Sequence, residues 1–257
     1  MSKITDVFKN KKAFIPFITC GDPNLETTKK LVYTLEKAGA DIIELGIPFS
    51  DPTAEGIVIQ SANMRALKNN ITTDNIFDMV KTLEVKVPLV FMTYANIIFS
   101  YGIEKFAKKC KEIGMSGIIL PDIPFEEKEE FNEVFKKYGI DFISLIAPTS
   151  NDRIKRIAQN ANGFIYLVSS LGVTGVRQNI ATDIDSMVSL VREVSDLPIA
   201  VGFGISTKEQ AGNMAKKADG VIVGSAIVKI IEKYGENSPE KVYEYVRDIT
   251  SIIVHSD

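Results

Sequence analysis

The chain has 257 residues, of which 45% are hydrophobic, and we expect residues 1–257 to form a single domain around one large core. Its 30 basic and 33 acidic residues leave a net charge of −3, which gives no indication of a nucleic-acid-binding or membrane-surface protein. The single histidine, His255, lies at the C-terminal end, which argues against an imidazole base, a Ser-His-Asp triad or a histidine-ligated zinc. Without a bilayer-length apolar run or a signal-peptide pattern, and with only Cys20 and Cys110 as separate thiols, we expect a cytoplasmic protein.

Short apolar runs alternate with longer segments of helical period along the chain. The opening segment 1–13 mixes charged and apolar residues and predicts an extra, amphipathic N-terminal helix. Most of the apolar runs are nearly continuous in β-branched or aromatic residues, as expected of parallel strands buried on both faces. The predicted strands are 13–20, 41–47, 88–94, 117–122, 141–147, 164–170, 198–204 and 220–224.

The segments between these runs predict helices. Several of them end at a glycine, which is a common helix stop, and Ser206 with Glu209 predicts a capping box at the start of one helix. A strand-helix unit repeated eight times predicts an α/β fold of the (β/α)₈ TIM barrel type. An open doubly wound sheet is the alternative, although no G-x-G-x-x-G fingerprint follows the first strand. The predicted helices are 25–39, 103–114, 126–139, 151–160, 183–194 and 208–217.

Glycines follow the last two predicted strands. Segment 201–207 (VGFGIST) contains Gly204, and segment 220–235 begins GVIVGS, with Gly224 and Ser225 before a predicted helix. In a barrel these are the loops after strands 7 and 8, where backbone N–H groups and a helix N-terminus often hold a phosphate. A third glycine-bearing loop, 169–179, follows strand 6. The pattern indicates a small phosphorylated substrate; alternatively, the glycines only permit tight turns.

An acid interrupts the second apolar run. Glu44 follows Ile42 on one face of the predicted strand, near the end that faces the active site of a barrel. A carboxylate among apolar neighbours has a raised pKa and suits general acid–base catalysis, although a structural ion pair is an equal alternative. None of the predicted strands contains a lysine, which argues against the Schiff-base chemistry of barrel aldolases. Asp41 and Asp141 begin strands at the opposite end, and Asp122 is expected to hold a loop.

The motifs together resemble the tryptophan synthase alpha chain family over nearly the whole chain. The segments that carry the resemblance are PFITCGDPN (16–24), ELGIPFSDPTAEG (44–56), YANIIFSYG (94–102), APTSNDR (147–153), YLVSSLGVTG (166–175), VGFGIS (201–206) and GVIVGSAIV (220–228). The resemblance implies a carbon–carbon lyase that cleaves indole-3-glycerol phosphate into indole and glyceraldehyde 3-phosphate without a metal or cofactor.

The resemblance also implies roles for individual residues. Glu44 and Glu55 match the two catalytic carboxylates, and Asp51 belongs to the loop machinery that closes the site. The substrate-binding positions implied in this way are Phe17, Tyr166, Thr174, Gly175, Phe203, Gly204, Gly224 and Ser225. Of these, Phe17, Tyr166 and Phe203 surround indole, Thr174 belongs to the closing loop, and the glycines and Ser225 hold the phosphate.

The partner implied by the resemblance is the pyridoxal-phosphate-containing beta chain, in an α2β2 complex through which indole passes. Pyridoxal phosphate is expected only in that partner, and segments 51–57 and 96–100 are the expected contacts. Three positions depart from the family pattern: Glu55 replaces the usual aspartate, Ile57 stands where proline is usual, and Ser170 stands where some members have arginine. A different phosphosugar isomerase or epimerase, or a non-catalytic activator of the beta chain, is the alternative function.

Overall fold

Eight parallel strands close into a barrel in the order β1 to β8, which confirms the predicted TIM barrel. The computed structural model describes residues 2–168, 180–202 and 204–253, with the backbone alone for residues 180–183. The strands are shorter than predicted, because each apolar run continues into the loop beyond its strand. They are β1 (Ala13–Thr19), β2 (Ile43–Gly46), β3 (Leu89–Met92), β4 (Gly117–Ile119), β5 (Asp141–Ile146), β6 (Ile165–Val168), β7 (Ile199–Gly202) and β8 (Gly220–Val223).

Helices surround the barrel and pack apolar side chains against the outer face of the sheet. The described α-helices are α1 (Lys3–Val7), α2 (Leu25–Ala38), α3 (Ile57–Lys68), α4 (Thr73–Lys81), α5 (Ala95–Tyr101), α6 (Ile103–Glu112), α7 (Lys128–Lys137), α8 (Asn151–Gln159), α9 (Ile180–Arg192), α10 (Lys208–Ala215), α11 (Ser225–Tyr234) and α12 (Ser238–Ile253). Two short 3₁₀ helices, Phe125–Glu127 and Gly235–Asn237, precede α7 and α12. None of the described helices is both long and apolar enough to cross a membrane.

Helix ends follow local chemistry closely. Gly39 ends α2 in the left-handed region, with φ 100°, as the glycine predicted. The predicted capping box at Ser206 is wrong by one residue. Thr207 caps α10 by accepting a hydrogen bond from the Gln210 N–H, and the Gln210 side chain accepts one from the Thr207 N–H. Two adjacent hydroxyl residues made the register ambiguous in sequence.

Side chains alternate between the inside and the outside of the barrel, as strand geometry requires. Ile42 packs in the apolar cluster inside the barrel, whereas Ile43 and Leu45 pack outside it against the helices. Phe17 on β1 lies beside Glu44 on β2 in the parallel register. The alternation therefore places Glu44 inside the barrel with Phe17, on the same face as Ile42, as the sequence predicted for that pair.

The N-terminal helix α1 closes the end of the barrel where the strands begin. Its Ile4 is fully buried in the inner cluster, and Phe8 contacts Phe164 with ring centroids 5.7 Å apart. Glycines at the start of two strands make the room, because a Cβ on Gly117 would lie 2.8 Å from Ile4 and one on Gly220 2.9 Å from Phe8. Only the opposite end of the barrel therefore remains available for a large cavity.

The aspartates near the strand ends have the structural roles that the sequence indicated. Asp41 accepts a hydrogen bond from the Phe14 N–H at 2.8 Å and pairs with Lys11 at the N-terminal end of the barrel. Asp122 accepts the Ala95 N–H at 3.1 Å and thus holds the loop after β4 against the start of α5. These contacts stabilise loops and leave both carboxylates outside the catalytic candidates.

Candidate active site

A cavity of about 470 Å³ opens at the C-terminal end of the strands. This volume lies within the range typical of small-molecule sites. The strands and their following loops contribute predicted site residues from β1, β2, β6, β7 and β8. Those that line the cavity are Phe17, Glu44, Glu55, Tyr166, Gly204, Gly224 and Ser225.

Glu44 is the buried acid of this cavity. The residue is 1% exposed, and neither carboxylate oxygen has a hydrogen-bond partner among the described residues. Burial, with a smaller contribution from the nearby charge of Glu55, raises the pKa of Glu44 to about 8. The carboxyl group is therefore mostly protonated at neutral pH and can give a proton to a bound substrate. Its lack of a local partner argues against the alternative of a structural ion pair.

Glu55 is the second acid, in the loop between β2 and α3. It also lines a second cavity of about 540 Å³ that shares Gly56, Met92 and Ser225 with the first, so its side chain lies where the two cavities meet. Burial raises the pKa of Glu55 to about 7, and a hydrogen bond from Asn63 acts in the opposite direction. Two neighbouring carboxyl groups with raised and different pKa values are suited to share one proton near neutral pH.

Two aromatic rings line the apolar wall of the site because glycines on adjacent strands leave room for them. A Cβ on Gly46 would lie 2.6 Å from the tip of the Phe17 ring, and one on Gly202 would lie 2.6 Å from the Tyr166 hydroxyl. Burial raises the pKa of Tyr166 well above its usual value, with a smaller contribution from Glu44. Tyr166 is thus neutral across the physiological range and can act as an apolar wall with one hydroxyl.

The first cavity also has features that suit an anion. Helix α11 begins there at Ser225, and Gly224 precedes it without a side-chain cap, so the first N–H groups of the helix lack a capping side chain. Gly204 has φ 74°, a left-handed conformation that favours glycine. Lys229, one turn into α11, lines the same cavity and adds a positive charge.

Several residues of the site were not identified from sequence. Lys229 follows Ser225 at the i+4 spacing of a helix, so the predicted helix was a signal that it faces the same side. The Tyr94 hydroxyl accepts a hydrogen bond from the Ala54 N–H at 3.1 Å and so holds the loop that carries Glu55. Asn63 contacts the Glu55 carboxylate from α3, and no local sequence pattern marks that contact.

Of the remaining predicted positions, the structure describes only Asp51, which does not join this cluster. Asp51 lines neither cavity; it is exposed and accepts a hydrogen bond from the Ser50 hydroxyl at 2.5 Å. The predicted positions Thr174, Gly175 and Phe203 lie outside the described residues, as does Ser170. Their roles stay predictions.

A buried lysine, Lys128, lies next to the site although no strand contains one. It is the first residue of α7, is 5% exposed and lines the second cavity. Its ammonium group donates hydrogen bonds to the Ser144 hydroxyl at 3.0 Å and the Asn160 carbonyl at 2.5 Å. On β5, Ile143 faces the inside of the barrel, so its neighbours Phe142 and Ser144 face the outside. Lys128 therefore contacts the outer face of the barrel. Lys128 is thus bound between the sheet and the helices.

Comparison with known proteins gives a consistent result. The sequence pattern of the tryptophan synthase alpha chain family matches residues 4–252. A tryptophan synthase alpha chain from Lacticaseibacillus casei is 49% identical over 251 residues, covering 97% of this chain and 94% of that protein.

Solved structures agree with the sequence relatives. The tryptophan synthase alpha subunit from Legionella pneumophila has a TM-score of 0.89 at 38% identity and covers 98% of both chains. A chain of the tryptophan synthase complex from Pyrococcus furiosus has a TM-score of 0.86 at 36% identity, covering 94% of this chain and 99% of that chain. The chain therefore belongs to the tryptophan synthase alpha chain family, the lyases of tryptophan biosynthesis that act on indole-3-glycerol phosphate.

Proposed function

We propose that Glu44 and Glu55 carry out a retro-aldol cleavage of indole-3-glycerol phosphate to indole and glyceraldehyde 3-phosphate. The observation that carries this proposal is the lining of one cavity: a buried carboxyl group on β2 without a hydrogen-bond partner among the described residues, a second carboxyl group, and a helix N-terminus that has no side-chain cap. The reaction needs one proton to move and one carbon–carbon bond to break. Carboxyl groups with pKa values near neutrality can supply and recover that proton.

The substrate phosphate binds at the loops after β7 and β8 in this proposal. Backbone N–H groups at Gly204, Gly224 and Ser225 approach it closely, and the α11 dipole and Lys229 favour its negative charge. The glycerol chain then extends from this end of the cavity toward Glu44. Phe17 and Tyr166 pack against the indole ring.

Glu44 begins the reaction protonated. It gives its proton to the ring carbon that bears the glycerol chain, which places a positive charge on the ring nitrogen. The carboxylate of Glu55 accepts a hydrogen bond from the indole N–H and stabilises that charge. Glu44, now ionised, takes the proton of the neighbouring chain hydroxyl while the carbon–carbon bond breaks. The electron pair of that bond restores the indole ring, an aldehyde is released, and Glu44 is protonated again.

The partner in this proposal is a beta chain that carries pyridoxal phosphate, in a cytoplasmic α2β2 complex. Exposed apolar side chains support the predicted contact segments 51–57 and 96–100, because Ile57 is 72% exposed and Phe99 is 49% exposed. Met64, on α3, is also exposed by 52%. They lie on α3 and α5, the helices that follow β2 and β3 at the C-terminal end of the barrel. Indole released there has a short path to a partner that covers this surface.

The test is the release of indole from indole-3-glycerol phosphate by wild type and Glu44→Gln, with and without the beta chain. We expect a loss of about 10²-fold or more in Glu44→Gln, since it removes the only proton donor of the proposed step. The control is Glu84→Gln, an exposed glutamate in the loop before β3, which should retain full activity. No indole release by wild type would favour a different phosphosugar enzyme. Activation of the beta chain that is equal in wild type and Glu44→Gln, without indole release by either, would indicate a non-catalytic activator.

The glutamate at position 55 is tested separately. A glutamate is one methylene longer than the usual aspartate, a displacement of about 1.5 Å for the carboxylate. We therefore expect Glu55→Asp to cleave the substrate at least as fast as wild type and Glu55→Ala to be strongly impaired. Full activity of Glu55→Ala would remove Glu55 from the mechanism and leave the role of Glu44 intact.

A further inference from the structure

The loop that carries Glu55 is attached to helix α3 at two points. The Gln60 side chain donates a hydrogen bond to the Glu55 backbone carbonyl at 2.7 Å, and Asn63 Nδ2 donates one to Glu55 Oε2, also at 2.7 Å. The first contact holds the peptide chain, and the second holds the carboxylate itself. Gln60 therefore positions the backbone of the loop, whereas Asn63 positions the carboxylate.

Asn63 is itself held rigidly. It is 3% exposed, and its neighbours Ala62 and Ala66 on α3 are fully buried. Arg65 on the same helix forms a two-bond ion pair with the buried Asp22, both contacts at 2.8 Å, and a further contact of 2.7 Å with Glu232 on α11. A donor on such a fixed helix can position a side chain that extends from a loop.

We propose that Asn63 is the positioning residue that holds the carboxylate of Glu55 at the indole-binding end of the cavity. This inference rests on the proposed function of Glu55. It also explains how a glutamate can take the place of the usual aspartate. The longer side chain has one more rotatable bond, and a hydrogen bond from a buried amide fixes the end of that chain.

The charges around Glu55 make this donor important. Glu55 lies close enough to Glu44 on β2 and to Tyr94 after β3 for its charge to raise the pKa of each of them. Lys229 lines the first cavity and Lys128 the second, and neither forms an ion pair with Glu55 in the described structure. Asn63 is thus the group whose hydrogen bond lowers the pKa of Glu55 against the effect of burial.

The experiment compares the pH profile of kcat for indole release in wild type, Asn63→Ala and Asn63→Asp. Because activity needs ionised Glu55, loss of the donor should move the acid limb to higher pH by about one unit, the size expected for one hydrogen bond to an ionised group. The isosteric Asn63→Asp should move it further, since a second carboxyl group replaces the donor. If Asn63 only supported the structure, Asn63→Ala would shift the acid limb more than Asn63→Asp. Aspartate conserves the shape of asparagine, and alanine does not.

Two control variants separate the carboxylate contact from general effects on α3. Gln60→Ala removes only the contact with the backbone carbonyl, and Asn69→Ala removes an exposed asparagine at the end of the same helix, which donates to the Pro23 carbonyl. Both should leave the midpoint of the acid limb in place. A shift in either control equal to that of Asn63→Ala would overturn the proposal.

A second measurement does not depend on activity. The carboxyl group of Glu55 is titrated by ¹³C NMR in Glu44→Gln and in Glu44→Gln/Asn63→Ala, where the coupled group is neutral. We expect a higher pKa for Glu55 in the double variant. An unchanged pKa and an unchanged acid limb would refute the role of Asn63 while leaving the proposed lyase chemistry standing. If Glu44→Gln is instead fully active, the proposed mechanism fails, whatever the titration shows.

Discussion

The buried carboxyl group of Glu44 should lower the unfolding free energy of the chain by an amount that increases with pH, between pH 4.5 and about 8. Its carboxyl group is almost fully buried, without a hydrogen-bond partner among the described residues, and burial raises its pKa from 4.5 to about 8. In the unfolded chain the group ionises near pH 4.5, whereas in the folded chain it keeps its proton. The unfolded state therefore gains an advantage that grows as pH rises from 4.5 to about 8.

The size of this effect follows from the pKa difference. Each pH unit in that interval costs about 1.4 kcal/mol of unfolding free energy, so the cost reaches about 3 kcal/mol at pH 7. Glu44→Gln replaces the acid with an amide that is neutral in both states. Relative to wild type, the variant should gain about 3 kcal/mol between pH 4.5 and pH 7, on top of a constant term for the buried amide. The same substitution thus abolishes the proton transfer and removes the loss of stability between pH 4.5 and pH 7.

Urea unfolding at a series of pH values from 4.5 to 8 measures the effect. The quantity of interest is the difference in unfolding free energy between Glu44→Gln and wild type, because the other titrating groups contribute equally to both proteins. Glu84→Gln, at an exposed position, should show no such pH-dependent difference. A difference for Glu44→Gln that stays constant across the pH range would refute the raised pKa and, with it, the protonated starting state of the proposed mechanism.

Two further predictions concern groups that the fold places around the site. Gly202→Ala should displace the Tyr166 ring, since its Cβ would lie 2.6 Å from the hydroxyl, and we expect a raised KM for indole-3-glycerol phosphate in steady-state kinetics; an unchanged KM would contradict the packing argument. Burial lowers the pKa of Lys128 from 10.5 to about 8, so the unfolding free energy of wild type should increase as pH rises from 8 to 10.5, and Lys128→Met should lack this increase in urea unfolding. Parallel pH dependence in wild type and Lys128→Met would show that the lysine is not held in a desolvated environment.

The proposed mechanism uses one carboxyl group on a strand and one on a loop. Glu44 lies on β2, where hydrogen bonds to two neighbouring strands fix the backbone. Glu55 lies on a loop that Tyr94, Gln60 and Asn63 attach to the barrel and to α3. The proposed proton donor thus lies on a fixed strand, whereas the carboxylate proposed to contact indole lies on a loop that side-chain hydrogen bonds hold in place.

The strand pattern and the position of Glu44 could be predicted from sequence because they follow from local rules. Continuous apolar runs indicated strands buried on both faces, and alternation along 42–45 placed Glu44 inside the barrel. The capping box at the start of α10 shows the limit of such rules. Ser206 and Thr207 are both suitable caps, and only the backbone conformation at Thr207 decides between them.

Contacts between distant segments could not be predicted in this way. Asn63 contacts Glu55 because helix α3 packs at the end of the barrel, where the Arg65–Asp22 ion pair holds the helix. Lys128 becomes buried because α7 packs its first turn against β5 and the end of α8. Each depends on which helices become neighbours, and no local spacing encodes that.

The amino-acid sequence was enough to predict a barrel that has an acid on its second strand and glycine-containing loops after its last two strands. These features depend on side-chain period and backbone freedom, which act over a few residues. The folded structure was needed to show that Glu44 has no hydrogen-bond partner among the described residues, that Glu55 lies near it, and that Asn63 donates to Glu55. The pKa of a carboxyl group depends on the burial and the charges around it, and the closing of the barrel brings those groups together.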